Sequence, residues 1–178
     1  MSRDLKNESM WLNPSNYLML CSNIKSGLIE YNDNVYIKEK IENNYKTLNE
    51  MVSELDVSLY DIGKNGNYKT ILTTNDVFNY LTKYNINVIS LDENNKTIDK
   101  AYAEAKKLVS TKAIQYVYYL EDDTLNERQE KFISENSIVK VPIKSMFTIT
   151  EEEKNNNKDY ISMMNDVIDN YKKELYKK

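Results

Sequence analysis

Residues 68–92, YKTILTTNDVFNYLTKYNINVISLD, decide the fold. The run 69–73 is β-branched and apolar enough for a buried strand, and 87–91 repeats that composition. Between them Val77, Tyr80, Leu81 and Tyr84 return at helical spacing. Strand, sharp turn, helix and second strand make a βαβ unit, whose strands are parallel and whose crossover is right-handed. Ligands of open α/β sheets gather at the carboxyl ends of the strands, so Thr73, Thr74, Asn75 and Asp76 stand where a site is expected. That geometry points to a place and not yet to a chemistry.

Working outward, the alternation continues downstream. Thr97 is read as the cap of a helix carrying Ile98, Ala101, Tyr102, Ala105 and Leu108, and 113–120 is a strand apolar enough to be covered on both faces. Thr124 with Glu127 reads as a capping box for a helix through Phe132 and Ile133, and 138–143 is a fourth strand. Residues 144–158 read as irregular and acidic, and a last helix over about 159–176 buries Ile161, Met164, Ile168, Tyr171 and Leu175. Upstream, Asn13-Pro14 starts a helix whose apolar face is Tyr17, Leu20, Cys21, Ile24 and Leu28. After a polar break at 31–34, Ile37, Ile41, Tyr45, Leu48, Val52, Leu55 and Leu59 step by three or four along one long spine helix. Gly63-Lys64-Asn65-Gly66-Asn67 reads as the clearest loop in the chain. The fold class is α/β: a parallel four-stranded sheet flanked by helices and preceded by the spine.

Composition narrows the chemistry. The 178 residues suffice for one ordinary domain with a real core, and 40% hydrophobic against 29% charged residues is a globular balance. Net charge −4 and a pI near 5.1 argue against a nucleic-acid surface. There is no histidine, which excludes Ser-His and Cys-His catalysis and any imidazole-bound metal. One cysteine, Cys21, excludes an internal disulfide and reads as a small buried hydrophobe. Three glycines leave no Walker or dinucleotide loop. No run approaches the roughly 20 apolar residues of a membrane span, and the polar start MSRDLKNESM has no signal-peptide core. The expectation is a cytoplasmic protein or a piece of a longer one.

Several segments, in order, resemble the metal-binding receptor lipoproteins of zinc and manganese ABC transporters. Met10-Trp11-Leu12-Asn13-Pro14 is similar to that family's Trp-Leu-Asp-Pro segment, and the long helix to its interlobe spine. Residues 73–80, TTNDVFNY, resemble its strand end with a Phe-x-Tyr pair, 117–121 its apolar strand closing on Glu, and 159–164 with Asn165 or Asn170 its last helix. The resemblance implies a carboxyl-terminal part only: 1–34 ending an amino-terminal lobe, 35–62 the interlobe spine, and 63–178 the α/β carboxyl-terminal lobe. It implies a cell-surface lipoprotein, with an ABC permease and the missing amino-terminal lobe as partners and a membrane contact only through a lipid anchor outside this chain. Four side chains hold the metal in the family, the first from the missing lobe. The other positions fall here on Ser9, Asn75, and Thr150 or Glu151, which are poor zinc donors except for the last. Zinc or manganese is thus implied by the family alone, and no cofactor is expected in this chain.

Each candidate has a plainer structural role beside the functional one. Asn75 is an ordinary helix cap, Trp11 an anchor for the first helix, and Glu151-Glu152-Glu153 a solvated loop or first helical turn. Glu121-Asp122-Asp123 has the donors for a hard cation, but Asp122 and Asp123 also suit the amino end of the helix that follows. Three function classes follow: a non-enzymatic solute receptor with its metal site altered, an adhesin-like interaction module of the same fold, and a carboxylate-dependent Mg²⁺ enzyme. The last needs Asp76 and Glu121 to Asp123 in one acidic pocket.

Overall fold

The computed structural model describes residues 11–177. Helix α1, Pro14–Glu30, begins at Asn13, whose side chain accepts from the Ser15 amide, with proline at the first turn. Helix α2, Val35–Asn65, begins the same way at Asn34, which accepts from the Tyr36 and Ile37 amides. Its 31 residues span about 46 Å at ~1.5 Å per residue. It is longer than its apolar stripe predicts, because residues 63–65 belong to it and not to a loop. A Cβ on Gly63 would lie 1.8 Å from the Tyr84 carbonyl oxygen, so this glycine serves close packing inside a helix. The Lys69 ammonium then donates to the Gly63 and Lys64 carbonyls, satisfying acceptors the helix end leaves open.

Strands β1 (Thr70–Thr73), β2 (Asn87–Ser90), β3 (Tyr116–Leu120) and β4 (Val139–Ile143) form one all-parallel sheet in the order β2-β1-β3-β4. Thr70 pairs with Asn87, Leu72 with Val117, and Tyr116 with Val139. The chain moves out from β1 to β2, then crosses back over β1 to β3. Strand order therefore reverses between β1 and β3, where the carboxyl ends open a crevice.

The β1–β2 crossover is a 3₁₀ helix, Asp76–Tyr84, where a regular α-helix was expected. Its buried residues Val77, Phe78, Leu81 and Tyr84 recur at intervals of one and three, which a three-residue turn places on one face. Helices α3 (Ile98–Ser110), α4 (Glu127–Glu135), α5 (Glu151–Asn155) and α6 (Tyr160–Leu175) complete the fold. One face of the sheet packs Ile71, Tyr118, Leu120, Val141 and Ile143 against α2, the 3₁₀ helix and α6. The other packs Leu72, Ile89, Leu91 and Val117 against α3 and α4.

Two caps differ from expectation. Helix α4 starts two residues late, at an Asn126–Gln129 capping box and not at Thr124–Glu127. Thr97 stands at the α3 N-cap without a capping bond; its hydroxyl donates to Asn95 Oδ1 instead. The stripe of α1 is also divided. Tyr17 stacks on Tyr160 of α6 at 3.6 Å, while Ile24 and Leu28 are each 53% exposed. Cys21 is half-buried, less enclosed than a core hydrophobe.

Candidate functional site

The carboxyl edge is built from the residues that leave each strand. Asn75, after β1, is the N-cap of the 3₁₀ helix: its Oδ1 accepts from the Val77 amide at 2.8 Å, and its Nδ2 donates to Asp123 Oδ2 at 3.1 Å. The plainer reading of Asn75 is therefore present, and the second bond ties the end of β1 to the turn after β3. Asp76 donates its amide to Asp92 Oδ2, and its own Oδ1 is buried with no protein partner. Asp92 is buried and accepts from the Asn94 amide and side chain.

The acidic run after β3 spreads across the edge. Glu121 pairs with Lys144 at 3.4 Å, Asp122 accepts from the Ser145 hydroxyl, and Asp123 accepts from Asn75. Asp122 and Asp123 thus bond to side chains on neighbouring strand ends, and the α4 cap is left to Asn126. Asp76 bonds toward β2 while Glu121 and Asp122 bond toward β4. Among the described residues no three His, Cys, Asp or Glu side chains are grouped to hold a metal ion.

Thr150 and Glu151 open α5. Thr150 caps it through a box with Glu153: the threonine hydroxyl accepts from the Glu153 amide, and Glu153 Oε2 accepts from the Thr150 amide at 2.8 Å. Glu151 pairs with Lys154 at 2.6 Å on an exposed helix face. Lys144, whose side chain is only 16% exposed, reaches Glu153 at 2.8 Å as well as Glu121. That ammonium, with the Thr150 bonds, holds the Glu153 carboxyl down at about 2. Ser9 lies outside the described residues.

The aromatic residues of α1 and α6 meet against the core of the sheet face that α6 covers. Trp11 sits 6.5 Å from Tyr17, which stacks on Tyr160, and burial pushes the Tyr17 hydroxyl up to about 12. A groove of about 370 Å³ lies at the opposite, amino edge, lined by Val109, Lys112, Ile114 and Ile138. It shares no residue with the carboxyl edge.

Sequence reading missed Lys144, Ser145 and Gln129, and took Glu153 only as part of an acidic loop or first helical turn. For the first two the signal is position, immediately after a strand. For Glu153 it is the spacing Thr-x-x-Glu. The spacing Asn-x-x-Gln marks Gln129 as a capping residue, but nothing in the sequence marks its second role: its buried amide donates to the Thr74 and Leu91 carbonyls and so locks α4 onto the ends of β1 and β2.

The model of one protein family, described as zinc-uptake complex component A periplasmic, matches residues 2–174. Among solved structures, the Zn(II)-bound ZnuA-like domain of Streptococcus pneumoniae AdcA is 21% identical with a TM-score of 0.68, covering 95% of this chain and 64% of its own. The metal-dependent lipoprotein YcdH from Bacillus subtilis is 19% identical with a TM-score of 0.72, covering 94% and 63%. The periplasmic zinc binding protein TroA from Treponema pallidum is 11% identical with a TM-score of 0.69, covering 95% and 64%. This chain thus spans less than two thirds of each. No curated protein matches it.

Proposed function

Because the chain belongs to the zinc-uptake complex component A family of periplasmic proteins, we propose that it is the carboxyl-terminal part of an extracytoplasmic solute-binding lipoprotein of an ABC transporter, with the family's metal donors largely replaced. The family and the structural neighbours are receptors and not enzymes. One observation carries the reading. The fold is shared across nearly all of this chain and only about two thirds of its neighbours, so a unit of domain size has no counterpart here.

In this reading residues 1–34 end an amino-terminal lobe, 35–62 form the spine between lobes, and 63–178 are the carboxyl-terminal lobe. The missing lobe covers the outer α1 stripe, Ile24 and Leu28, and the adjoining Tyr31, which is 88% exposed. The two lobes enclose solute over the β1/β3 crevice and present it to a permease. A lipid anchor outside this chain holds the receptor at the cell surface. Among the described residues no helix is long and apolar enough to cross a membrane.

The donor set does not fit zinc. The Asn75 side chain is spent on Val77 and Asp123, the Thr150 hydroxyl on its cap, and Glu151 on Lys154. Zinc takes imidazole, thiolate or carboxylate in a tetrahedral set, and amide and hydroxyl oxygens already in hydrogen bonds are weak substitutes.

The test is the natural gene product. An antibody raised against this chain should detect, in the native cell envelope, a lipid-modified species about half as large again as 21.0 kDa. A soluble species of the chain's own mass sinks the two-lobe reading. Calorimetric titration with Zn²⁺ or Mn²⁺ should show no saturable submicromolar site; finding one contradicts the replaced donor set.

A further inference from the structure

The crossover between β1 and β2 joins a sequence patterned for an α-helix to a backbone wound as a 3₁₀ helix nine residues long, and 3₁₀ runs beyond three or four residues are uncommon. We propose that this element, Asp76–Tyr84, is a two-state strut: its end anchors hold it extended, and it shortens to an α-helix when the Asn75–Asp123 bond breaks. Movement at the carboxyl edge thereby reaches the joint of α1 and α2. The strut stands on this chain's own contacts; that a solute in the β1/β3 crevice is what displaces Asn75 rests on the receptor reading.

Three observations lead to this. First, both ends are tied to other elements. At the amino end Asn75 Nδ2 donates to Asp123 Oδ2 after β3, and the Asp76 amide donates to Asp92 Oδ2 after β2. At the carboxyl end the Tyr84 hydroxyl and the Lys83 ammonium both donate to Asp56 Oδ1 on α2, and Lys83 also reaches Ser15 Oγ on α1 at 2.8 Å. The Tyr84 carbonyl is seated against Gly63, where a Cβ does not fit. Second, the two helical forms differ in length. Nine residues span about 18 Å at ~2.0 Å per residue and about 13.5 Å at ~1.5 Å. Third, the core accepts both forms. Val77, Phe78, Leu81 and Tyr84 share one face at three residues per turn, and their spacing of i, i+1, i+4 and i+7 also makes one stripe at 3.6.

Conversion therefore exchanges bonds to the third residue back for better-aligned bonds to the fourth, and takes no apolar side chain out of the core. The anchors oppose it. Parting Asn75 from Asp123 removes the stop at the sheet, and the shortening then pulls on Lys83 and Tyr84 where they hold Asp56 and Ser15. A displaced side chain at the strand ends becomes a shift at the base of the α1–α2 hairpin.

Two variants of the full chain release one end each. N75D keeps an oxygen to cap the Val77 amide but sets a carboxylate against that of Asp123. K83M/Y84F takes the ammonium and the hydroxyl from Asp56 and leaves the aromatic ring in the core. NMR couplings across hydrogen bonds identify the acceptor of each amide. In the wild type the Tyr80 amide should couple to the Val77 carbonyl, and in both variants to the Asp76 carbonyl. Independent sites at the two ends of such a strut nearly multiply in their effects, so the unfolding constant of N75D/K83M/Y84F should depart at least about fivefold from the product of the separate changes. The proposal falls if either variant keeps the Val77 acceptor, if the wild type already uses Asp76, or if the changes simply multiply. Should one variant fail to fold, the acceptor pattern of the other decides. The cell-envelope antibody experiment tests the two-lobe reading and these measurements test the strut, so each can fail alone.

Discussion

Asp56, on α2, gathers three donors from two segments: the Tyr84 hydroxyl at 2.7 Å and the Lys83 ammonium at 2.9 Å from the 3₁₀ helix, and the Ser15 hydroxyl at 3.5 Å from α1. Burial pushes its carboxyl up, but these bonds outweigh it, Tyr84 first, and hold it below the ordinary carboxylate range. A group with a depressed folded pKa stabilises above its unfolded value and loses that contribution as pH falls through the folded one. The melting-temperature gap between wild type and Asp56→Asn should therefore be full at neutral pH and close progressively below about pH 4. A gap that stays constant to low pH rules this out. Gln129→Leu, read by urea unfolding, should lower the midpoint with an unchanged slope, at about 1–3 kcal/mol for each of the two carbonyls left unpaired. Gly63→Ala drives a methyl into the Tyr84 carbonyl and should cost at least the roughly 1–3 kcal/mol of ordinary overpacking.

At the scale of elements, the contrast lies between the two ends of the chain. Helix α6 is fastened by a charge: Glu174 is fully buried, accepts from the Gln115 and Tyr116 amides at 2.9 and 2.8 Å, and pairs with Lys177. Glu174→Ala strips the two amides at the start of β3 of their acceptor and a buried ammonium of its carboxylate, which should cost roughly 3–5 kcal/mol in chemical denaturation. A loss under 1 kcal/mol contradicts that account. Helix α1 is buried at its start, by Leu12, Pro14 and the Tyr17–Tyr160 stack, and farther out it lies along α2, where the Lys25 ammonium sits 5.0 Å from the Tyr45 ring. Ile24→Asp at a 53% exposed position should leave the melt within about 0.5 kcal/mol of wild type. A large drop would place the outer stripe in an internal contact after all.

For the whole molecule, burial along α2 sets a gradient of stability. Its fully buried residues are Val52, Leu55, Leu59, Ile62 and Gly63, all in the half that crosses the sheet, whereas Val35 and Tyr36 are 73% and 83% exposed. Local opening costs least where few apolar contacts must break. Amide exchange should accordingly be slowest over residues 52–65 and fastest over 35–45, with α1 following the outer half. Uniform protection along α2 would mean that the hairpin is held by contacts beyond its own packing. On the proposed reading, the missing lobe supplies those contacts and flattens the gradient.

The sequence by itself determined the parallel sheet, because strand-length apolar runs separated by helical periods admit few other arrangements, and the strands read at 69–73, 87–91, 113–120 and 138–143 end within one residue of those observed, the third starting three residues early. It also determined the Asn75 cap, the Asn13-Pro14 start and the length of the spine up to Gly63, since each depends on neighbours in the chain. Tertiary structure alone decided the rest. That Gly63 continues a helix depends on the Tyr84 carbonyl, 21 positions away, and that Gln129 is a buried lock depends on Thr74 and Leu91. The fate of Glu121, Asp122 and Asp123 was equally hidden. Three successive carboxylates look like one cluster in sequence, but at the end of a strand they diverge to Lys144, Ser145 and Asn75, and only the ordering β1-β3-β4 brings those donors within reach.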